Sequence, residues 1–134
     1  MSIIFALISR GNDVVLCEHT DYAGNFQQIS RMLIRKIKKN SKYSIEYDKY
    51  NKIWIYVRYR FHYINDNDIT YLCMTENASE EIAFCYLNDI KKKFIQNYDF
   101  DKIVSFHAYH LTEFVDVLKQ YMVKIKLIIF KWLN

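Results

Sequence analysis

His107 and His110 stand three residues apart, the spacing at which two imidazoles on one helical turn can share a zinc ion. No Glu lies between them and no third ligand falls at a zinc-site spacing, so they read as surface or hydrogen-bonded histidines and no metal is expected. A hydrolase using His107 and His110 on a metal stands as an alternative. The run "NDND" at 65–68 has the alternating oxygen side chains of a calcium loop, but the following Gly and the closing Glu are missing. It reads as a turn, with Asp66 and Asp68 binding nothing. Cys17, Cys73 and Cys85 make no CxxC pair and no even-numbered framework, as in a reducing compartment. They sit among apolar neighbours, where Cys behaves as a small hydrophobe. Gly11 and Gly24 are the two glycines of the chain, too few to build a phosphate cradle, and no GxSxG or dinucleotide fingerprint is present. No catalytic residue and no cofactor is expected.

Elements are needed to place any site. The 134 residues suit one domain able to bury a core. With 51% hydrophobic residues and 25% charged, the chain is too apolar for disorder, and a soluble globular domain is expected. The start, "MSIIFALISRGND", lacks a basic region before its apolar run and a cleavage site after it, which predicts a cytosolic protein without a signal peptide. The net charge of +4 comes largely from "RKIKK" at 35–39 and "KKK" at 91–93. Both are expected near helix ends, where lysines complement the dipole, with an anionic membrane surface as the alternative partner. Aromatic residues fall mostly on alternating strand positions, which favours core packing over base stacking, and no nucleic acid is expected.

"IIFALIS" at 3–9 is apolar on both faces, as in a strand covered from both sides, and "VVLCEH" at 14–19 pairs back after a turn at "RGND". Asn25 is expected to cap a helix running to about Lys39, with Phe26, Ile29, Leu33 and Ile37 forming its core stripe. Residues 42–50 alternate as an edge strand, and 52–64 as a long strand. The NDND turn leads into "ITYLCMT" at 69–75, apolar on both faces. Asn77 and Glu80 have capping-box spacing ahead of a helix carrying Ile82, Ala83, Tyr86, Leu87, Ile90 and Phe94. Residues 98–110 read as irregular, and a last helix is expected from Thr112 to Met122. The order predicts an α/β (α+β) domain: a five-stranded antiparallel sheet, with one helix on one face and two on the other.

"SIIFALISRG", "GNF" at 24–26, "FHYI" at 61–64, "ITYLCMT" and "AFCYLNDIKKKF" at 83–94 together resemble a longin domain, of the kind that opens the long, tetanus-insensitive synaptobrevin-like vesicle-associated membrane proteins. The likeness covers residues 1–122, and 123–134 form an apolar and basic tail. The resemblance implies a profilin-like fold and a non-catalytic regulatory role in SNARE-mediated vesicle transport, on the cytoplasmic face of endomembranes. It also implies SNARE motifs, in cis or in trans, and sorting adaptors as partners, bound in an apolar groove between the first helix and the third strand. Position by position, that groove falls on Tyr43, Ile45 and Tyr47, with Met32 and Ile34 as candidates from the two flanks of the helix, of which one faces the groove. Compared with the family, this chain carries extra residues around "NKIWIYVR", and its 134 residues hold no heptad run of a SNARE motif. A longin-like subunit of a coat or tethering complex is therefore a second reading. The tail "VKIKLIIFKWLN" needs cover for its apolar side chains. It is expected to dock on the domain or pair two copies, its alternation favouring an extended strand over a continued helix, and a homodimer through the tail or the edge strand is expected as one outcome.

Overall fold

A computed structural model describes residues 2–22, 24–47 and 58–133. Five antiparallel strands, β1 (Ser2–Arg10), β2 (Val14–Thr20), β3 (Lys42–Tyr47), β4 (Tyr59–Asp66) and β5 (Ile69–Glu76), form one sheet in the order β2-β1-β5-β4-β3. β1 and β5 lie inside, and nearly all their residues are buried on both faces, as their unbroken apolar runs predict. One face packs Ile4, Phe5, Leu7, Phe61, Tyr63, Leu72 and Met74 under α1 (Phe26–Ile34). The other packs Ala6, Ile8, Tyr71 and Cys73 under α2 (Glu80–Asn97) and α4 (Phe114–Leu133). The short α3 (Phe100–Ile103) interrupts the stretch expected to be irregular. Arg10 fixes that stretch to the sheet: its guanidinium donates to the carbonyls of Ile103 (2.7 Å) and Phe106 (2.5 Å).

The β4–β5 hairpin is tighter than a four-residue turn. Asn65 and Asp66 belong to β4, and Asn67 and Asp68 alone make the turn with φ of 51° and 64°, the paired left-handed conformation that suits the strand twist and that Asn and Asp tolerate. Asn65 is buried and structural: its Oδ1 accepts from the Asn40 N–H and its Nδ2 donates to Thr70 Oγ1, both at 2.9 Å. Asp66 pairs with Lys91 Nζ at 2.9 Å. Calcium is therefore expected to leave the thermal midpoint unchanged in parent and Asp66→Asn alike. A calcium-dependent rise that the substitution abolishes would restore the loop reading.

Several boundaries differ from the sequence expectations. Asn25 precedes α1, but its side chain makes no capping hydrogen bond. The helix stops at Ile34, five residues before Lys39, where tighter turns from Lys36 and Ile37 N–H back to Leu33 and Ile34 carbonyls take over. The cap of α2 is Ser79, whose Oγ accepts from Ile82 N–H at 3.3 Å. Asn77 is committed elsewhere, its Oδ1 accepting from Arg58 N–H at 2.8 Å. α2 continues to Asn97, which places "KKK" inside the helix rather than at its end, while "RKIKK" follows α1. The strand expected over 52–64 is described from Tyr59 onward. Its first half, and the extra residues around "NKIWIYVR" up to Val57, lie outside the described residues.

The tail corrects the expectation of an extended strand. α4 does not end at Met122 but runs to Leu133, because the buried stripe Phe114, Leu118, Met122 continues through Ile125 and Ile129 at helical spacing. Those two contacts against the domain outweigh the alternation of "VKIKL". Among the described residues, no helix is long and apolar enough to cross a membrane.

Candidate functional site

His107 and His110 are engaged with neighbouring rings, and two of the three cysteines are buried. His107 and His110 lie edge to face at 4.5 Å, and His110 stacks on Phe106 at 4.4 Å. Among the described residues, no third His, Cys, Asp or Glu joins them in a group that could hold a metal. Cys17 and Cys73 are buried, whereas Cys85 on α2 is exposed, contrary to the expectation of three packed thiols; burial pushes the Cys17 thiol up to about 12 and raises Cys73 as well. This is the reverse of what a nucleophile needs.

A buried imidazole was not singled out by the sequence. His62 on β4 is fully buried; its Nδ1 lies 2.7 Å from Ser44 Oγ on β3 and its Nε2 2.9 Å from Thr75 Oγ1 on β5. The ring ties three neighbouring strands together. Burial, with the Arg60 charge adding to it, lowers its pKa to about 4, so the ring is neutral at physiological pH. The only sequence signal was a His within the long strand expected over 52–64.

The exposed apolar surface lies on the opposite face of the same strands. In the β3–β4 register, Tyr43, Ile45 and Tyr47 sit opposite Tyr63, Phe61 and Tyr59, so their side chains share the α1 face. Tyr47 meets Phe61 edge-on at 5.8 Å and Tyr43 lies 6.5 Å from Tyr63. Phe61 and Tyr63 form a buried floor, Ile45 and Tyr47 are half-buried, and Tyr43 is 60% exposed. β3 is the edge of the sheet among the described strands, so this strip is bounded on one side by the sheet edge and on the other by α1.

Which flank of α1 borders the strip follows from two contacts along its length and one across it. Phe26 packs on Tyr59 at 6.3 Å, near the start of β4, and the turn after the helix is held at Asn40 by Asn65, near the end of β4. The helix therefore runs along the strands, and its flanks face the two sheet edges. Arg31 reaches the β2 side, with its Nη2 3.4 Å from Glu18 Oε1 and bonded to the Tyr109 hydroxyl. At about 100° per residue, Ile29 and Leu33 lie on the other flank, toward β3, with Met32 above them. Ile29 and Leu33 are half-buried against the core and Met32 is 58% exposed. Ile34 is 1% exposed. It faces the core and offers no surface to a partner, so Met32 remains from that pair and Ile29 and Leu33 join it.

Comparison with known proteins agrees with this architecture. The model of the family described as Longin, Regulated-SNARE-like domain, matches residues 16–118. The chain is 37% identical over 124 residues to vesicle-associated membrane protein 713 of Arabidopsis thaliana, covering 91% of this chain and 52% of that protein. It is 35% identical over 99 residues to vesicle-associated membrane protein 7B of Dictyostelium discoideum and 35% identical over 100 residues to vesicle-associated membrane protein 7 of Homo sapiens. Each of these two matches covers 73% of this chain, and 35% and 41% of the relative. The chain thus spans about half or less of the length of these relatives. Since the family match runs from within β2 into α4, across both helical layers and the strip itself, the chain belongs to the longin family of Regulated-SNARE-like domains.

Proposed function

We propose that this longin domain is a non-catalytic regulatory and interaction module of a vesicle SNARE, acting at the cytoplasmic face of transport vesicles. In this reading the strip between α1 and β3 receives a SNARE motif, from the same protein or from a partner, and sorting adaptors compete for the same surface. The observation that carries the reading is the family match together with relatives named as vesicle-associated membrane proteins. The strip supports it physically: an amphipathic helix or an extended segment laid beside β3 would cover Tyr43, Ile45 and Met32 while Phe61 and Tyr63 form the floor.

The test is the affinity of a synthetic SNARE-motif peptide for the parent and for the double variant Tyr43→Ser, Ile45→Ser. Affinity is expected to drop at least about tenfold, which corresponds to roughly 1.4 kcal/mol. At the exposed Tyr43 the change in stability should stay within about 0.5 kcal/mol, and a melting curve separates loss of binding from loss of fold. Equal affinity of parent and variant would remove the strip from the proposal.

A further inference from the structure

The second half of α4 presents a different surface. Its seated stripe ends with Ile125 and Ile129. At about 100° per residue, Val123 and Phe130 fall on one side of that stripe, Leu127 opposite it, and Ile128 and Trp132 on the other side. All five are exposed, Phe130 at 67% and Trp132 at 86%. Beside Ile128 and Trp132, a cleft of about 350 Å³ opens against Ser79, Glu81, Ile82 and Cys85 at the start of α2. The end of α4 is therefore apolar on three sides. Its charges are of one sign: Lys119, Lys124, Lys126 and Lys131, with no acidic residue in the helix after Asp116.

We infer that the last turns of α4 dock this domain on an anionic membrane surface, with Ile128 and Trp132, which share one flank of the helix, entering the interface and Lys124 and Lys131 beside them contacting lipid phosphates. Charge complementarity selects this occupant. A second copy packed symmetrically on α4 would bring two sets of lysines together, with the cleft's Glu81 as the facing acid, and the chain as a whole carries +4. A helix flank with an exposed Trp and Ile bordered by lysines is the composition that partitions into a headgroup region, where long cationic side chains extend toward phosphates. This surface is separate from the strip at β3, and the inference does not rest on the SNARE reading.

The experiment uses the full chain with Trp54→Phe, which leaves Trp132 as the one tryptophan of the two. Vesicles of phosphatidylcholine alone are compared with vesicles containing 30% phosphatidylserine, added as the probe. Cosedimentation and a blue shift of Trp132 emission are expected with phosphatidylserine and not without it. Partitioning should fall at least about tenfold in Ile128→Ser, Trp132→Ser, and comparably when Lys124 and Lys131 become Gln. The Tyr43→Ser, Ile45→Ser variant should bind vesicles as the parent does. No binding to either vesicle, or binding that survives both sets of α4 substitutions, would overturn the inference. So would a lipid-free dimer in sedimentation that Trp132→Ser converts to a monomer, because a second copy would then be the occupant.

Discussion

Replacing Phe94 by Ala is expected to lower the free energy of unfolding by about 3–5 kcal/mol, the range for emptying a large buried aromatic site. Phe94 on α2 is fully buried, and its ring meets Tyr71 of β5 at 5.7 Å and Phe114 of α4 at 5.5 Å, both edge-on, and Tyr98 at 5.1 Å. One ring thus joins the central sheet to both helices of its face. The cavity has little means of collapsing, because the surrounding aromatics are held by their own contacts: Tyr98 donates from its hydroxyl to Glu113 at 2.9 Å and packs on Phe106. Urea denaturation followed by circular dichroism measures the loss. The neighbour Ile95 points to solvent, so Ile95→Ala is the control and should stay within about 0.5 kcal/mol. A loss below about 1 kcal/mol in Phe94→Ala would mean that the α2–α4 layer is not the core described here.

The second large effect depends on pH. His62 titrates near 4 when folded, against about 6.5 in the unfolded chain. Between those values the unfolded chain binds the proton and the folded one does not, so acid favours unfolding. The contribution of His62 to stability is intact above about pH 6.5, falls as pH drops through that window, and levels off below about 4. By pH 4 the loss amounts to about 3 kcal/mol. His62→Gln keeps a neutral side chain able to bond the Ser44 and Thr75 hydroxyls but cannot take up the proton. The stability of the parent minus that of the variant should therefore fall steadily from pH 6.5 to 4, with carboxylate contributions common to both cancelling. Parallel stability curves would show that His62 is solvated or already charged in the folded state.

The features legible in the sequence were those written as runs and stripes. β1 and β5 show themselves as covered on both faces because residues 3–8 and 69–75 offer no polar side. The stripe of Ala83, Tyr86, Leu87, Ile90 and Phe94 on α2 matches its buried face. Boundaries were less legible wherever two groups could serve one role. Asn77 and Ser79 both suit a cap, and the choice falls on Ser79 because the Asn77 side chain is occupied by Arg58 N–H. At the tail, alternation over five residues competed with the stripe of Ile125 and Ile129, and the spatial neighbour that decides, the start of α2, is distant in sequence. The strip itself was half legible. Alternation placed Tyr43, Ile45 and Tyr47 on one face, but periodicity cannot give the roll of α1, which depends on Arg31 reaching Glu18. The core centre of α1 moved accordingly, from Leu33 to Ser30 and Ile34.

In the proposed function a SNARE segment binds where α1 and β3 frame the floor of Phe61 and Tyr63. The decisive measurement is nuclear magnetic resonance mapping of the labelled domain, titrated with a synthetic SNARE-motif peptide. Shifts are expected at Tyr43, Ile45 and Tyr47 of β3 and at Ile29, Met32 and Leu33 of α1, with α2 and α4 undisturbed. Shifts confined to α2 and α4, or none at saturating peptide, would remove the strip as the binding site.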